Sequence, residues 1–393
     1  MLGERLKRFR LARGMTITQL CAAIDHLVSN TSLSKYERGI AQPSVKVLNR
    51  IAATYGIKSA QLWGEPTCKV ESIAFRKRSK LGVREENQIK AFVAEEVEKR
   101  VWLLEQFPEQ NTFDLPIRGI KINKLIDTEE AAYKLRKTLN LGIDPIGNLT
   151  SVLEDQGVFI IEVKASEGFD GISSIVNYDD KNHTTVAIAI RAGIPADSQR
   201  LTLTHEVGHL ILDIQDGVDH EKVANRFGAA FLAPADQFHK DVGKKRNNVK
   251  IEELCYLKEK YGMSIQAILY RLKDLRIITN SYYKEWCISI NKLGWKKHEP
   301  VELQPEKPYR FHQQICYALS ENLITKKEST YLFNQTGQTS PEITDNIRYR
   351  FLEKTKKERD RILSKQAKEM SEFYENDIEW REWEGAFIES ENS

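Results

Sequence analysis

The segment THEVGHLILD, residues 204–213, contains side chains that could bind a metal ion and activate water. His205 and His209 are four residues apart, so on a helix their imidazoles lie on one face and can reach the same ion. The surrounding leucine, isoleucine and valine residues predict a buried helix, where metal binding would satisfy both imidazoles. Glu206 is placed to accept a proton from a bound water and to pass it to a leaving amine. This pattern indicates metal-dependent peptide hydrolysis.

A catalytic zinc site needs a third protein ligand and leaves its fourth position to water. Asp213 lies too far along the same helix, so the chain must turn back. The turn at residues 214–219 is followed by a second helical segment in which Glu221 stands beside small residues that permit close helix packing. Glu221 is therefore the expected third ligand, in preference to Asp216, Asp219 and His220. Two histidines and a carboxylate suit Zn²⁺, while Mn²⁺ and Fe²⁺ also fit this donor set.

The elements that would position this site are a small sheet and a group of helices. Residues 157–163, 171–178 and 184–190 are short and rich in β-branched residues, which predicts three strands. Residues 127–139 have the pattern of a helix, and helices dominate from 198 to 275. We therefore predict an α+β, zincin-like domain.

The N-terminal region has a different pattern, with four short helices predicted between residues 2 and 64. Glycines at 14, 39 and 56 end three of them. The third begins at Thr31, turns Leu33 and Tyr36 inward and exposes small polar and basic side chains, as a major-groove recognition helix requires. The candidate DNA contacts are Asn30, Thr31, Ser32, Ser34, Lys35 and Arg38.

Charge supports this interpretation. The whole chain has a formal charge of only +3, but residues 1–66 contain ten Lys/Arg against four Asp/Glu. A local excess of positive charge favours a polyanionic partner, and we expect the basic first helix to contact phosphates. The alternative is a helical bundle used only for protein contact or dimerisation.

Cysteine content and hydropathy indicate the cellular compartment. The five cysteines form no Cys-x-x-Cys pair, which favours a reducing compartment. No secretory signal and no apolar run of about 18 residues is present, so we expect a cytoplasmic protein without membrane contact.

We predict a mainly α, multidomain fold in five segments: an all-α helix-turn-helix bundle (1–65), a linker with a charged helix (66–119), the α+β domain (120–280), a helical extension (281–335) and a charged helical tail (336–393).

Several longer stretches resemble known families. The segments GFDGISSIV, RLTLTHEVGHLILD and EKVANRFGAAFLAP look like the ImmA/IrrE family of zinc-dependent peptidases, and the similarity extends over residues 120–280. In that family the two histidines and the glutamate of the following helix are ligands, and the glutamate after the first histidine is the base. These roles fall on His205, His209, Glu221 and Glu206. The stretch from residue 20 to 57 resembles the helix-turn-helix of Cro-type (XRE) repressors.

The combined resemblance implies a DNA-binding regulator fused to a zinc endopeptidase. ImmA/IrrE members cleave, or promote loss of, helix-turn-helix repressors in stress responses and mobile elements. The expected partners are therefore a double-stranded DNA operator and a repressor or antitoxin-like substrate, with the chain dimeric on a palindromic site. The alternative is a non-enzymatic XRE-family transcriptional repressor or antitoxin whose metal site is structural or sensory.

Overall fold

A computed structural model describes residues 2–64, 68–77, 81–107, 118–178, 183–296 and 298–335, together with 355–361, 363–365 and 367. The chain divides into two compact units, residues 1–324 and 325–393. The first unit contains the helix-turn-helix region, the sheet and the metal-binding motif. In the second unit, α16 covers Lys326–Gln335. Most of the predicted charged tail, residues 336–393, lies outside the described residues.

Five helices form the N-terminal bundle: α1 (Leu2–Ala12), α2 (Ile17–Ala23), α3 (Asn30–Glu37), α4 (Val45–Tyr55) and α5 (Ala60–Trp63). Side-chain caps fix three of their starts. Thr16 and Gln19 form a reciprocal capping box at α2, and Ser29 and Ser44 accept backbone N–H groups at α3 and α4. These helices enclose a small core that includes Leu6, Leu20, Leu33, Leu48 and Ile51.

The third helix begins one residue earlier than its predicted start at Thr31, because Ser29 caps it. Leu33 is buried as expected, but Tyr36 is only half-buried. Glu37 takes a buried position instead, where its carboxylate pairs with Arg10 at 2.6 Å. Two fully formed hydrogen bonds from the guanidinium offset the cost of burying this carboxylate.

A four-stranded sheet follows, with the order β1-β4-β5-β3. The strands are β1 (Cys68–Lys77), β3 (Phe159–Val163), β4 (Phe169–Tyr178) and β5 (His183–Arg191). Strand β4 runs antiparallel to both β1 and β5, and β3 runs parallel to β5. Strands β2 (Ile120–Ile122) and β6 (Leu212–Ile214) form a separate parallel pair. The three predicted strands are present, whereas β1 lies in a segment that was predicted to be linker.

Helices cover both faces of the four-stranded sheet. On one face, α6 (Val83–Leu104) contributes Ile89, Val93, Val97 and Val101 to a core shared with β1, β3, β4 and β5. These four residues form the buried stripe of this otherwise charged helix. The other face of the sheet packs against α9 (Ala196–Ile211) and α10 (His220–Leu232), and together they form a larger core.

The other helices of the first unit lie around this larger core, except α15, which packs against α6 and α8. They are α7 (Asp127–Thr138), α8 (Leu149–Asp155), α11 (Ala235–Val242), α12 (Ile251–Tyr261), α13 (Ile265–Asp274), α14 (Asn280–Lys292) and α15 (Arg310–Ser320). The fold is thus a helical N-terminal bundle, an α+β domain with a small mixed sheet and a helical C-terminal region, as the sequence predicted. No helix among the described residues is long and apolar enough to cross a membrane.

Helix α1 packs along α6 through charged side chains. Arg13 pairs with Glu95 at 2.9 Å, and Arg8 pairs with Glu98 at 2.6 Å. The prediction that the basic first helix contacts phosphates is therefore wrong for Arg8, Arg10 and Arg13, because Glu98, Glu37 and Glu95 respectively bind them. Glu95 and Glu98 thus balance part of the net positive charge of residues 1–66.

A second cluster of charges lies on α6 itself. Glu96 is buried and binds Lys99 at 2.6 Å and Arg100 at 2.8 Å. Burial alone would raise the pKa of Glu96, but the charges and hydrogen bonds of the two cations lower it below the usual value for glutamate.

Candidate metal centre

Helices α9 and α10 cross closely because each has a glycine at the contact. A Cβ on Gly208 would lie 3.2 Å from a ring carbon of Phe227, and a Cβ on Gly228 would lie 2.7 Å from the hydroxyl of Thr204. The loop between the helices returns the chain to α9 through β6 and a cap at Asp219, whose side chain accepts the backbone N–H of Lys222. The predicted turn and close approach are therefore both present.

At this crossing, three side chains converge. The Nε2 atoms of His205 and His209 are 3.0 Å apart. Glu221 Oε2 lies 3.4 Å from His205 Nε2, and Glu221 Oε1 lies 3.4 Å from His209 Nε2. Among the described residues, this is the one group of three or more His, Cys, Asp or Glu side chains whose donor atoms all lie within 4.8 Å of one another.

The spacing suits a metal ion. Ligand atoms about 2.0–2.1 Å from a tetrahedral zinc stand roughly 3.3 Å from each other, close to the observed 3.0–3.4 Å separations. The side chain of His205 is fully buried, whereas that of Glu221 is 62% exposed. The three donors thus form a site that is buried on the His205 side and open to solvent on the Glu221 side, from which water can enter.

Asn225 orients the first histidine. Its amide Nδ2 donates to the backbone carbonyl of Glu221 at 2.8 Å, so its Oδ1 is the acceptor for His205 Nδ1 at 3.1 Å. This hydrogen bond places the proton of His205 on Nδ1 and leaves the lone pair of Nε2 directed at the other two donors. A metal ligand requires this tautomer.

Glu206 is fully buried one residue after His205. Strand β4 passes directly over it, since a Cβ on Gly171 would lie 3.0 Å from Glu206 Oε1 and 2.8 Å from Thr202 Cγ2. Glycine at 171 therefore leaves the volume that the carboxylate fills. The strand and the helix together hold the Glu206 carboxylate in a buried position, one residue after the first histidine of the group.

The candidate DNA contacts lie along α3. Asn30, Thr31, Lys35 and Arg38 are exposed, and Ser32 and Ser34 are half-buried. Asn30 Nδ2 donates to Thr18 Oγ1 at 3.4 Å, and Arg38 Nε donates to the backbone carbonyl of Ser34 at 3.3 Å. Helix α3 and its C-cap Arg38 thus present all six residues.

Two residues of the candidate centre were not singled out for these roles from the sequence. Asn225 stands four residues after Glu221, and this helical spacing is the signal that could have identified it. Gly171 lies in the middle of a predicted strand, where a glycine often marks the close approach of another group.

Comparison with protein families bears on both halves of the chain. Residues 6–62 match a helix-turn-helix family model. Residues 156–273 match the Peptidase M78 family, described as the IrrE N-terminal-like domain. The chain joins a helix-turn-helix domain to an IrrE-like peptidase domain. Among curated proteins, no match was found.

The two matches agree with the resemblances noted in the sequence. The helix-turn-helix domain contains α3 and its six exposed or half-buried polar residues. The IrrE-like domain contains α9, α10 and all three converging side chains. The first domain implies DNA binding, and the second implies a protein substrate and a metal-dependent peptidase.

Proposed function

We propose that the chain is a DNA-binding regulator whose IrrE-like domain is a zinc-dependent endopeptidase. The observation that best supports this proposal is the convergence of His205, His209 and Glu221 on one point, with Glu206 buried beside it. A structural site needs no neighbouring carboxylate of this kind. In addition, the Glu221 side of the three donors is open to solvent, which leaves a position for a metal-bound water.

In this proposal His205 and His209 bind Zn²⁺ through Nε2, and Glu221 binds it through a carboxylate oxygen. A bound zinc would lower the pKa of its water towards about 7 and polarise a carbonyl group. Asn225 keeps His205 in the ligating tautomer. The carboxylate of Glu206 accepts a proton from the attacking water and delivers it to the amine nitrogen of the broken peptide bond.

The DNA-binding half of the proposal assigns base and phosphate contacts to the exposed face of α3. Lys35 and Arg38 are exposed cations and are the expected phosphate contacts. Asn30, Thr31, Ser32 and Ser34 are small polar residues that permit close approach to a major groove. A second copy of the chain on a palindromic operator would double this surface.

We further propose that the substrate is a repressor or antitoxin-like regulator in a stress or mobile-element response. The fusion supports this choice, because a peptidase attached to a DNA-binding domain encounters other DNA-bound regulators at high effective concentration. The resemblance to ImmA/IrrE peptidases points to helix-turn-helix proteins as the substrate class.

The test combines metal content with proteolysis. Zinc-loaded protein is incubated with purified helix-turn-helix repressors encoded near its own gene, and fragments are identified by mass spectrometry. A Glu206→Gln variant should keep its zinc and lose cleavage, whereas His205→Ala should lose both. Glu302→Gln is a matched control, because Glu302 is exposed and lies outside the centre.

Loss of cleavage in Glu206→Gln with retained zinc supports the peptidase. If Glu206→Gln cleaves as fast as the unchanged protein, the assigned role of Glu206 is wrong. Zinc-loaded protein that binds operator DNA tightly and cleaves no candidate favours the alternative, a non-enzymatic repressor or antitoxin with a structural or sensory metal.

A further inference from the structure

Strand β4 passes over Glu206, the residue that follows the first histidine of the candidate metal centre. Gly171, in β4, is the residue whose backbone approaches Glu206, and α9 packs against this strand. A peptide bond that is hydrolysed with the help of Glu206 must come within hydrogen-bond reach of its carboxylate. The Cβ direction of Gly171 places Glu206 under the face of β4 at this residue. An extended substrate paired along the edge of β4 at Gly171 would therefore run next to the part of the strand that covers this carboxylate.

This edge of β4 is already paired with strand β1. The two strands pair antiparallel from Cys68 opposite Tyr178 to Lys77 opposite Phe169, and Arg76 is opposite Gly171. Opposed Cα atoms in such a pair are about 4.5–5.5 Å apart. The backbone of β1 at Arg76 thus lies next to Gly171, the residue of β4 that lies over Glu206.

We infer that β1 is an internal occupant of the substrate position. A protein substrate binds as an extended segment on the edge of β4, by strand addition, and it does so only after β1 has left. This inference rests on the proposed peptidase function and adds its regulation: the chain holds its own peptidase domain in a closed form.

Several features make β1 a strand that can be exchanged. It lies at the end of the strand order β1-β4-β5-β3, so it has one pairing partner in the sheet. Its pairing with β4 is irregular between Ser72 and Ala74 and between Arg76 and Lys77, and such irregularities disrupt the ladder locally. In residues 68–71, Cys68 is buried and Val70 is half-buried, whereas Lys69 and Glu71 are exposed.

The connections of β1 keep it close to β4 when it leaves. It follows the N-terminal bundle in the chain and precedes α6. An attached strand competes with any free peptide at the high effective concentration of an intramolecular partner. Weakening β1 should therefore strengthen the binding of a free peptide, and fixing β1 in place should prevent that binding.

The probe is a fluorescent synthetic peptide with the sequence of residues 68–77, in which serine replaces the cysteine. Binding is measured by anisotropy to the zinc-loaded full chain carrying Glu206→Gln, so that the peptide is not cleaved. Lys69→Pro with Val70→Pro weakens β1, because successive N–H groups point to opposite sides and one of the two prolines must remove a bond to β4. Lys69→Ala with Val70→Ala keeps both N–H groups and is the matched control.

A second variant fixes β1 in place. Cys68 and Tyr178 are opposed residues, at a separation that a disulfide can span. Tyr178→Cys, once oxidised, joins β1 to β4, and a phosphine reductant releases it. Tyr178→Cys combined with Cys68→Ser cannot form the link and controls for the loss of the tyrosine.

The inference predicts an apparent Kd at least tenfold lower for the proline pair than for the alanine pair. It also predicts no binding to the oxidised Tyr178→Cys protein and recovered binding after reduction. Equal affinity for the proline and alanine pairs, or binding that the disulfide does not change, would overturn it. Because the assay needs no catalysis, such a result leaves Glu206-dependent cleavage to be judged separately.

Discussion

Asn225→Ala should weaken zinc binding although Asn225 is not itself one of the three donors. Asn225 Oδ1 accepts the proton of His205 Nδ1 at 3.1 Å. In the metal-free variant, His205 can move its proton to Nε2. When zinc binds Nε2 the proton must return to Nδ1, which is then buried without its acceptor. The cost therefore falls on the metal-bound form alone.

The size of the effect follows from the burial of His205, whose side chain is fully shielded from solvent. A buried donor that loses its partner costs about 1–3 kcal/mol. Because each 1.4 kcal/mol is a factor of ten, zinc affinity should fall by roughly 5- to 150-fold. This range agrees with the loss of about 10- to 100-fold that follows when residues behind a metal ligand are replaced.

The assay is competition for zinc against a chromophoric chelator at constant pH. Asn225→Asp is the control, because it keeps an acceptor oxygen for His205 and should bind zinc much more tightly than the alanine variant. An Asn225→Ala protein that binds zinc within twofold of the unchanged protein would show that this hydrogen bond does not orient the ligand.

Three other predictions concern the peptidase domain, the DNA surface and α6. Gly171→Ala should lower the rate of substrate cleavage by about 100-fold and leave zinc content unchanged, because its Cβ would displace Glu206; Gly147→Ala, with open space around its Cβ, should change neither quantity. Lys35→Ala should weaken operator binding and reduce the slope of log affinity against log salt by about 1 in filter-binding or anisotropy titrations. Burial raises the pKa of Glu96, but its two cationic neighbours lower it by more, so the folded-state pKa lies below the usual value for glutamate. Glu96 should therefore stabilise the fold above its unfolded pKa of about 4.5 and lose that contribution as pH falls below it. Urea unfolding should then show that the advantage of the unchanged protein over Glu96→Gln shrinks from about pH 5 to pH 3, and an advantage that grows over this interval would contradict the assigned pKa direction.

The candidate centre could be predicted from the sequence because its geometry is mostly local. His205 and His209 lie on one helix at a fixed spacing, and Glu221 follows after a short turn. The small residues of α10 indicated close packing, and the contact between Gly228 and Thr204 agrees with that expectation. Helix caps such as Ser44 and the left-handed Gly56 likewise fix the ends of α4 through neighbouring residues alone.

The parts that sequence did not predict depend on distant partners. Strand β1 pairs with a strand about 100 residues further along the chain, and its charged residues conceal the alternation that would mark a strand. The arginines of α1 were assigned to phosphate because their acidic partners, Glu95 and Glu98, lie 82 and 90 residues away. A local count of charge cannot include such partners.

The packing of α1 along α6 has a geometric consequence for a chain bound to DNA. Ion pairs join the helix-turn-helix domain to a helix that is itself packed on the sheet. The proposed catalytic residues would therefore lie at a fixed distance and angle from the duplex. Each added base pair rotates a neighbouring protein by about 34° around the DNA axis. A regulator on the same face of the duplex would be within reach, and one bound half a helical turn away would face the opposite direction.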